Sequence, residues 1–225
     1  MVKDKLKEQI IDIGKRIWTR GYVAANDGNI SVKINAKEFL TTATGISKGF
    51  MTKEMILTVN EKGEVLDENP QYEPSSEIKM HLAVYQIRKD IGAVVHAHPP
   101  FCTSFAVAGK DLDQYILPES IIMLGSVPVA KYATPSTSAM AKAIQPHIKK
   151  TDSILLKNHG ALTLGTGLEK AYFRMETLEH YAQILFRASQ LGKVNCLTEQ
   201  QIDELIEIRT ENSIPGRIYF SGEDE

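Results

Sequence analysis

The chain has 225 residues, 43% of them hydrophobic and 24% charged, with a formal net charge of -2; this suffices for one α/β domain over residues 1–225 with a substantial core. No basic cluster offers a footprint for nucleic acid, and no twenty-residue apolar run offers a membrane span. Cys102 and Cys196 lie far apart and outside any CxxC pattern, and the opening Met-Val-Lys-Asp-Lys-Leu-Lys lacks a signal-peptide core, so a reducing, cytoplasmic setting is expected.

Leu6, Ile10, Ile13 and Ile17 form one stripe over residues 3–20, which predicts an opening helix with Gly21 as its left-handed C-cap. Segments 29–34, 38–43 and 55–59 alternate or run apolar between Gly and Asn turn residues, which predicts antiparallel strands. Ile78, Leu82, Val84 and Tyr85 return to helical spacing over 77–88, with Pro74-Ser75-Ser76 supplying hydroxyls for an N-cap. Residues 92–97 read as a strand that stops at Pro99-Pro100. A helix near 136–149, strands at 153–157 and 161–164, and helices near 168–191 and 198–210 complete a mixed sheet flanked by helices.

Two imidazoles at i and i+2 need only a strand to point the same way, and His96-Ala97-His98 ends such a run. A catalytic zinc takes three protein ligands and keeps one position open, and a third histidine stands in Asn158-His159-Gly160. Hydrogen-bonded strand histidines are the alternative. Glu77, at the start of its helix, is a metal ligand, a general base, or a first-turn glutamate that favours the helix dipole. Gly28-Asn29, Thr44-Gly45 and Ser75-Ser76 pair small polar side chains with backbone open to an anion; ordinary turn chemistry explains the same residues. His81, His147 and His180 read as packing or surface histidines, and Trp18 with the methionines as core or interface filling. Lys157 is the one lysine to consider for Schiff-base chemistry, which three histidines make unnecessary.

The ordered set Gly28-Asn29-Ile30-Ser31, Thr44-Gly45, Pro74-Ser75-Ser76-Glu77, His96-Ala97-His98, Tyr132-Ala133-Thr134 and Asn158-His159-Gly160 resembles the class II aldolase family. That family includes L-fuculose-1-phosphate aldolase and L-ribulose-5-phosphate 4-epimerase. The resemblance runs over nearly the whole chain and implies a mainly antiparallel mixed sheet with helices on both faces, the aldolase and adducin-head fold. It implies zinc held by His96, His98, His159 and Glu77, with manganese, iron or cobalt able to take the same set. Glu77 is implied as the base and the Gly28, Asn29, Thr44, Gly45, Ser75 and Ser76 group as the phosphate site. The expected substrate is a ketose 1-phosphate, either L-fuculose 1-phosphate or a 5-deoxypentulose 1-phosphate, cleaved to dihydroxyacetone phosphate and a short aldehyde by a homotetramer. An epimerase, dehydratase or decarboxylase of a sugar phosphate is the alternative activity, and a non-catalytic adducin-like head is disfavoured by the retained ligands. The chain departs from the pattern at Leu117, where the fuculose-phosphate enzyme carries a tyrosine from the adjacent subunit. Glu119 is the expected substitute acid, with Tyr115 second, and Tyr219 corresponds loosely to a tail tyrosine that closes the site.

Overall fold

The computed structural model describes residues 2–68 and 70–222. Helix α1 (Val2–Thr19) buries Ile10, Ile13 and Ile17 and stops at Gly21, whose φ of 70° confirms the left-handed cap. Strands β1 (Asn29–Lys33), β2 (Phe39–Thr42) and β3 (Ile56–Val59) form the antiparallel group that alternation predicted. Helix α2 (Ile78–Ile87) leads into β4 (Ala93–Ala97), followed by α3 (Pro100–Ala108), α4 (Pro118–Met123), β5 (Val129–Ala130) and α5 (Ser138–Ile148). Strands β6 (Ser153–Leu156) and β7 (Gly160–Gly165) form a hairpin before the long α6 (Leu168–Leu191) and α7 (Glu199–Glu211).

The seven strands run in the order β3-β2-β1-β4-β7-β6-β5, antiparallel except for the parallel pair β5 and β6. Strand β4 lies at the centre and is buried on both faces. Alternation then sorts its side chains, since neighbours on a strand point to opposite faces. Ala93, Val95 and Ala97 enter the core covered by α1 and α6, whereas Val94 enters the one covered by α2 and α5. His96 shares the parity of Val94, so its ring is sent to the α2 face. On neighbouring β1, Ile30 and Val32 take the α1 face, which leaves Asn29 and Ser31 to meet α2.

The expected helix N-cap at the serines is corrected by one turn position. Glu77 precedes the first helical residue, and Ser75 Oγ instead accepts from the Glu77 backbone N–H at 3.3 Å. Helix α3 was not legible because Pro99-Pro100 reads as a break, although proline suits the first turn of a helix. Its N-terminal donors, Phe101 N and Cys102 N, go to the carboxylate of Glu179 at 3.0 and 2.8 Å. Trp18 stays 42% exposed, edge-on to Phe50, so it contributes little to the core.

At the far end of α2 a buried ionic cluster ties three segments together. Asp152, 2% exposed, receives the guanidinium of Arg88 at 2.8 Å and that of Arg174 at 3.3 Å, and accepts from Arg217 N at 3.0 Å. Arg174 also donates to Pro215 O at 2.7 Å, so residues 215–217 are strapped to the sheet. Removing one partner of a buried pair strands the other charge at a cost of about 3–5 kcal/mol. Asp152→Ala is therefore expected to lower the unfolding free energy by an amount in that range, read by denaturant titration. An unchanged midpoint would show that the two arginines find other partners.

Candidate metal and active site

Three imidazoles and a carboxylate meet where β4 ends. His96 is 1% exposed, and its Nδ1 lies 2.9 Å from Ala161 O on β7. A carbonyl only accepts, so Nδ1 carries the ring proton and Nε2 presents a bare lone pair. His98, one residue beyond the strand, keeps the same face; its Nδ1 lies 3.2 Å from Asp27 Oδ2, and its Nε2 lies 3.1 Å from His96 Nε2. A carboxylate beside Nδ1 favours the tautomer that carries its proton there, and with the proton so placed the two Nε2 lone pairs face each other. The ligand nitrogens of His96, His98 and His159 lie within 4.8 Å of one another.

His159 arrives on the turn between β6 and β7. Asn158 takes a positive φ of 57°, which asparagine tolerates better than most residues. At Gly160 a Cβ would sit 2.5 Å from Ala97 O and 2.6 Å from His98 Cδ2. The Asn-His-Gly order is therefore a geometric requirement: asparagine makes the turn, and glycine lets the strand pass close enough to bring the three rings together.

Glu77 completes the group from the N-terminus of α2. Its Oε2 lies 3.3 Å from His96 Nε2 and accepts from Asn29 Nδ2 at 2.8 Å, while Oε1 lies 3.6 Å from His159 Nε2 and is buried without a hydrogen bond. Two facing lone pairs, a third imidazole and an orphaned carboxylate oxygen form a donor set that suits a divalent cation. Burial, reinforced by the neighbouring rings of His98 and His159, pushes the pKa of His96 well below its usual value, and burial lowers that of His159 despite Glu77. Both rings are thereby kept neutral, the form that binds metal.

The loops expected to hold phosphate lie side by side. An isolated bridge joins Ala43 to Pro74, and Thr44 N donates to Glu73 O at 2.9 Å, so Thr44-Gly45 runs next to Ser75-Ser76. Gly45 has a φ of 71° and open space where a side chain would be. Ser76 Oγ accepts from Ser136 Oγ at 2.6 Å, which brings in a residue that sequence reasoning did not select. Asn29, expected in the same group, directs its amide at Glu77. Gly28, with a φ of 72°, allows the close pass beneath His96, since a Cβ would lie 2.8 Å from His96 O.

The acid candidates lie elsewhere on the chain. Glu119 is exposed on the first turn of α4. The Tyr115 hydroxyl is engaged by Ser126 Oγ at 2.8 Å and by Ser221 N at 3.1 Å. Tyr219 belongs to the C-terminal strap, and its carbonyl accepts from Ser126 N at 2.9 Å. Leu117 is the N-cap position of α4 and contributes no side-chain cap.

Sequence reasoning also missed Asp27 and Lys48. Lys48 is 2% exposed; its ammonium donates to Asn26 O at 3.1 Å and Ile46 O at 2.7 Å, and burial pulls its pKa down to about 8 against the pull of Asp27. A buried lysine in a Ser-Lys-Gly turn leaves no signal in composition or periodicity.

A family model described as "Class II Aldolase and Adducin N-terminal domain" matches residues 8–186. The chain belongs to this family. It is 34% identical over 183 residues to an L-fuculose phosphate aldolase of Methanococcus maripaludis, covering 81% of this chain and 97% of that one. It is 30% identical over 209 residues to a 5-deoxy-D-ribulose 1-phosphate aldolase of Bacillus thuringiensis serovar kurstaki, covering 91% and 95%. A 3-oxo-tetronate 4-phosphate decarboxylase of Pectobacterium atrosepticum matches at 28% over 207 residues, covering 90% and 93%. Among solved structures, an L-fuculose 1-phosphate aldolase superposes with a TM-score of 0.83 at 28% identity, covering 92% of this chain and 96% of that one.

His81 lies one turn after Glu77, and its Nδ1 is 2.8 Å from Ser31 Oγ, which also bonds Tyr85 Oη at 2.8 Å. Complete burial lowers its pKa to about 3. A histidine kept neutral in the fold but free to protonate when unfolded stabilises fully above about pH 6.5, and this contribution is lost as pH falls from there toward 3. The unfolding free energy should fall by about 1.4 kcal/mol per pH unit for such a residue. His81→Gln should flatten the pH 6.5 to 4 limb of the stability curve by about that slope; an unchanged slope would place the proton uptake at other groups.

Proposed function

We propose that this enzyme is a metal-dependent aldolase that reversibly cleaves a ketose 1-phosphate to dihydroxyacetone phosphate and a short aldehyde. The observation that carries the reading is the convergence of the His96, His98 and His159 rings, their nitrogens within 4.8 Å of one another, on the Glu77 carboxylate. A divalent ion, which we take to be zinc, would be held by these four residues and would supply Lewis-acid charge for the enediolate left when a carbon–carbon bond beside a ketone breaks. No further domain is invoked for residues 1–225.

Glu77 is the base in the synthetic direction. Its Oε1 has no hydrogen bond, so that oxygen is free to take a proton from the carbon to be joined. Asn29 holds the other oxygen and so aims the carboxylate. Gly28, Asn29, Thr44, Gly45, Ser75 and Ser76 hold the phosphate through hydroxyls, the Asn29 amide group and open backbone N–H groups.

Glu119 protonates the leaving oxygen. The Tyr115 hydroxyl is already engaged at the strap, and a carboxylate exposed on α4 suits delivery to a neighbouring subunit of a homotetramer. The two cysteines are free, and among the described residues no helix is long and apolar enough to cross a membrane; both fit a cytoplasmic enzyme. Decarboxylation of a sugar-acid phosphate is the second reading, favoured by the decarboxylase relative; it draws on the same enediolate-stabilising charge.

The direct test offers the purified, zinc-loaded enzyme several ketose 1-phosphates and 3-oxo acid phosphates, reading dihydroxyacetone phosphate against carbon dioxide. Release of carbon dioxide alone would replace the aldolase reading. Glu77→Gln is expected to keep most of the bound metal while activity drops by about 10²- to 10⁴-fold; near wild-type turnover would remove Glu77 as base. His96→Ala should bind less than one metal per chain in elemental analysis. Mixing it with Glu119→Gln, both inactive alone, should restore partial activity once mass measurement shows that the chains exchange, and no recovery would place Glu119 outside a neighbour's site.

A further inference from the structure

We infer that Asp27 is a positioning residue for the metal site, holding the His98 ring in the tautomer and orientation that present its Nε2. This rests on the metal reading above. Three observations carry it. The Asp27 carboxylate lies 3.2 Å from His98 Nδ1, the ring atom opposite the one that faces His96. His96 is oriented by a peptide carbonyl, whereas His98 stands past the end of β4 and its side chain is 23% exposed, so its ring needs a separate restraint.

The loop that carries Asp27 is also built against its own preferences. Ala25 takes a left-handed φ of 46°, and Gly28 takes 72° at a place where a Cβ would strike His96 O. Asp27 N donates to Ala24 O at 2.8 Å, closing a tight turn. The buried ammonium of Lys48 pins this turn from beneath through Asn26 O. A non-glycine residue in the left-handed region persists where the surroundings over-determine it, and such positions gather at functional sites. Here that backbone delivers one carboxylate to one histidine.

A carboxylate on the far nitrogen raises the basicity of a ligating imidazole as well as fixing its direction, and losing such a partner typically weakens metal binding by about 10- to 100-fold. The experiment strips the wild type, Asp27→Asn, Asp27→Glu and His96→Ala of metal. Each is titrated with Zn²⁺ against a chromophoric chelator, then with Co²⁺, whose visible absorption reports ligand geometry. Asp27→Asn is expected to bind Zn²⁺ about 10- to 100-fold more weakly with displaced Co²⁺ bands, at an unchanged melting temperature of the metal-free protein. Asp27→Glu should recover part of the affinity. Wild-type affinity and an unshifted Co²⁺ spectrum in Asp27→Asn overturn the inference while the metal reading stands. A lower metal-free melting temperature in both Asp27 variants, without rescue by glutamate, overturns it in favour of a purely structural turn. Wild-type protein that holds no more metal than His96→Ala overturns both readings together.

Discussion

Facing lone pairs repel, and the end of β4 is arranged around a pair of them. His96 and His98 bring their Nε2 atoms to 3.1 Å, and the usual relief, an Nε2–H on one ring donating to the other, would turn a bare Nδ1 lone pair toward Ala161 O or the Asp27 carboxylate. A divalent cation relieves the repulsion without requiring either ring to become an imidazolium. Each supporting contact acts in that direction. Ala161 O and the Asp27 carboxylate hold the two Nδ1 protons on the outer side, and Glu77 supplies negative charge on the inner side.

The backbone pays for this convergence by surrendering side chains. Gly160 lies against Ala97 and His98, and Gly28 lies against His96 O; at both places a methyl group would push apart backbone segments whose closeness sets the spacing of the rings. Helix α2 then works at both ends. Its N-terminus presents Glu77 to the histidines, and beyond its C-terminus Arg88 is locked by Asp90, Asp152 and Ile148 O. Ten residues span about 15 Å of helix axis, so the clamp at Asp152 limits how far Glu77 can shift along the axis. Between the two ends, His81 and Tyr85 share Ser31 Oγ, a polar contact between α2 and β1 that an apolar surface could not register so narrowly.

The C-terminal strap extends the same logic to α4. Arg209 donates to Gly216 O at 2.8 Å and bonds Ile122 O, while Gly125 bridges to Tyr219. The helix carrying Glu119 is thus tied to the last described residues and, through Arg174 and Asp152, to the sheet. Exposure at Glu119 then reflects a fixed presentation on an anchored helix.

Much of this was legible in the chain alone. Period-two alternation around His96 and His98 determined that both rings share a face, and the order of strand and helix patterns determined a mixed sheet with helices on each side. Residue chemistry at Asn158-His159-Gly160 pointed to the third imidazole that the fold brings to the pair, and Ser75-Ser76-Glu77 marked the entry to α2. Other features were decided only in three dimensions. Asp27 is an ordinary turn residue until 71 positions of chain fold back to bring His98 to it, and the contact of Asn29 with Glu77 exists only once strand parity turns its amide toward α2. Lys48 has the composition of a surface lysine, yet two carbonyls draw it inside. Local periodicity reports which way a side chain points relative to its neighbours in sequence, and it carries no information about which distant residue waits on that side; pairing register and close backbone approach supply that, and they exist only in the folded chain.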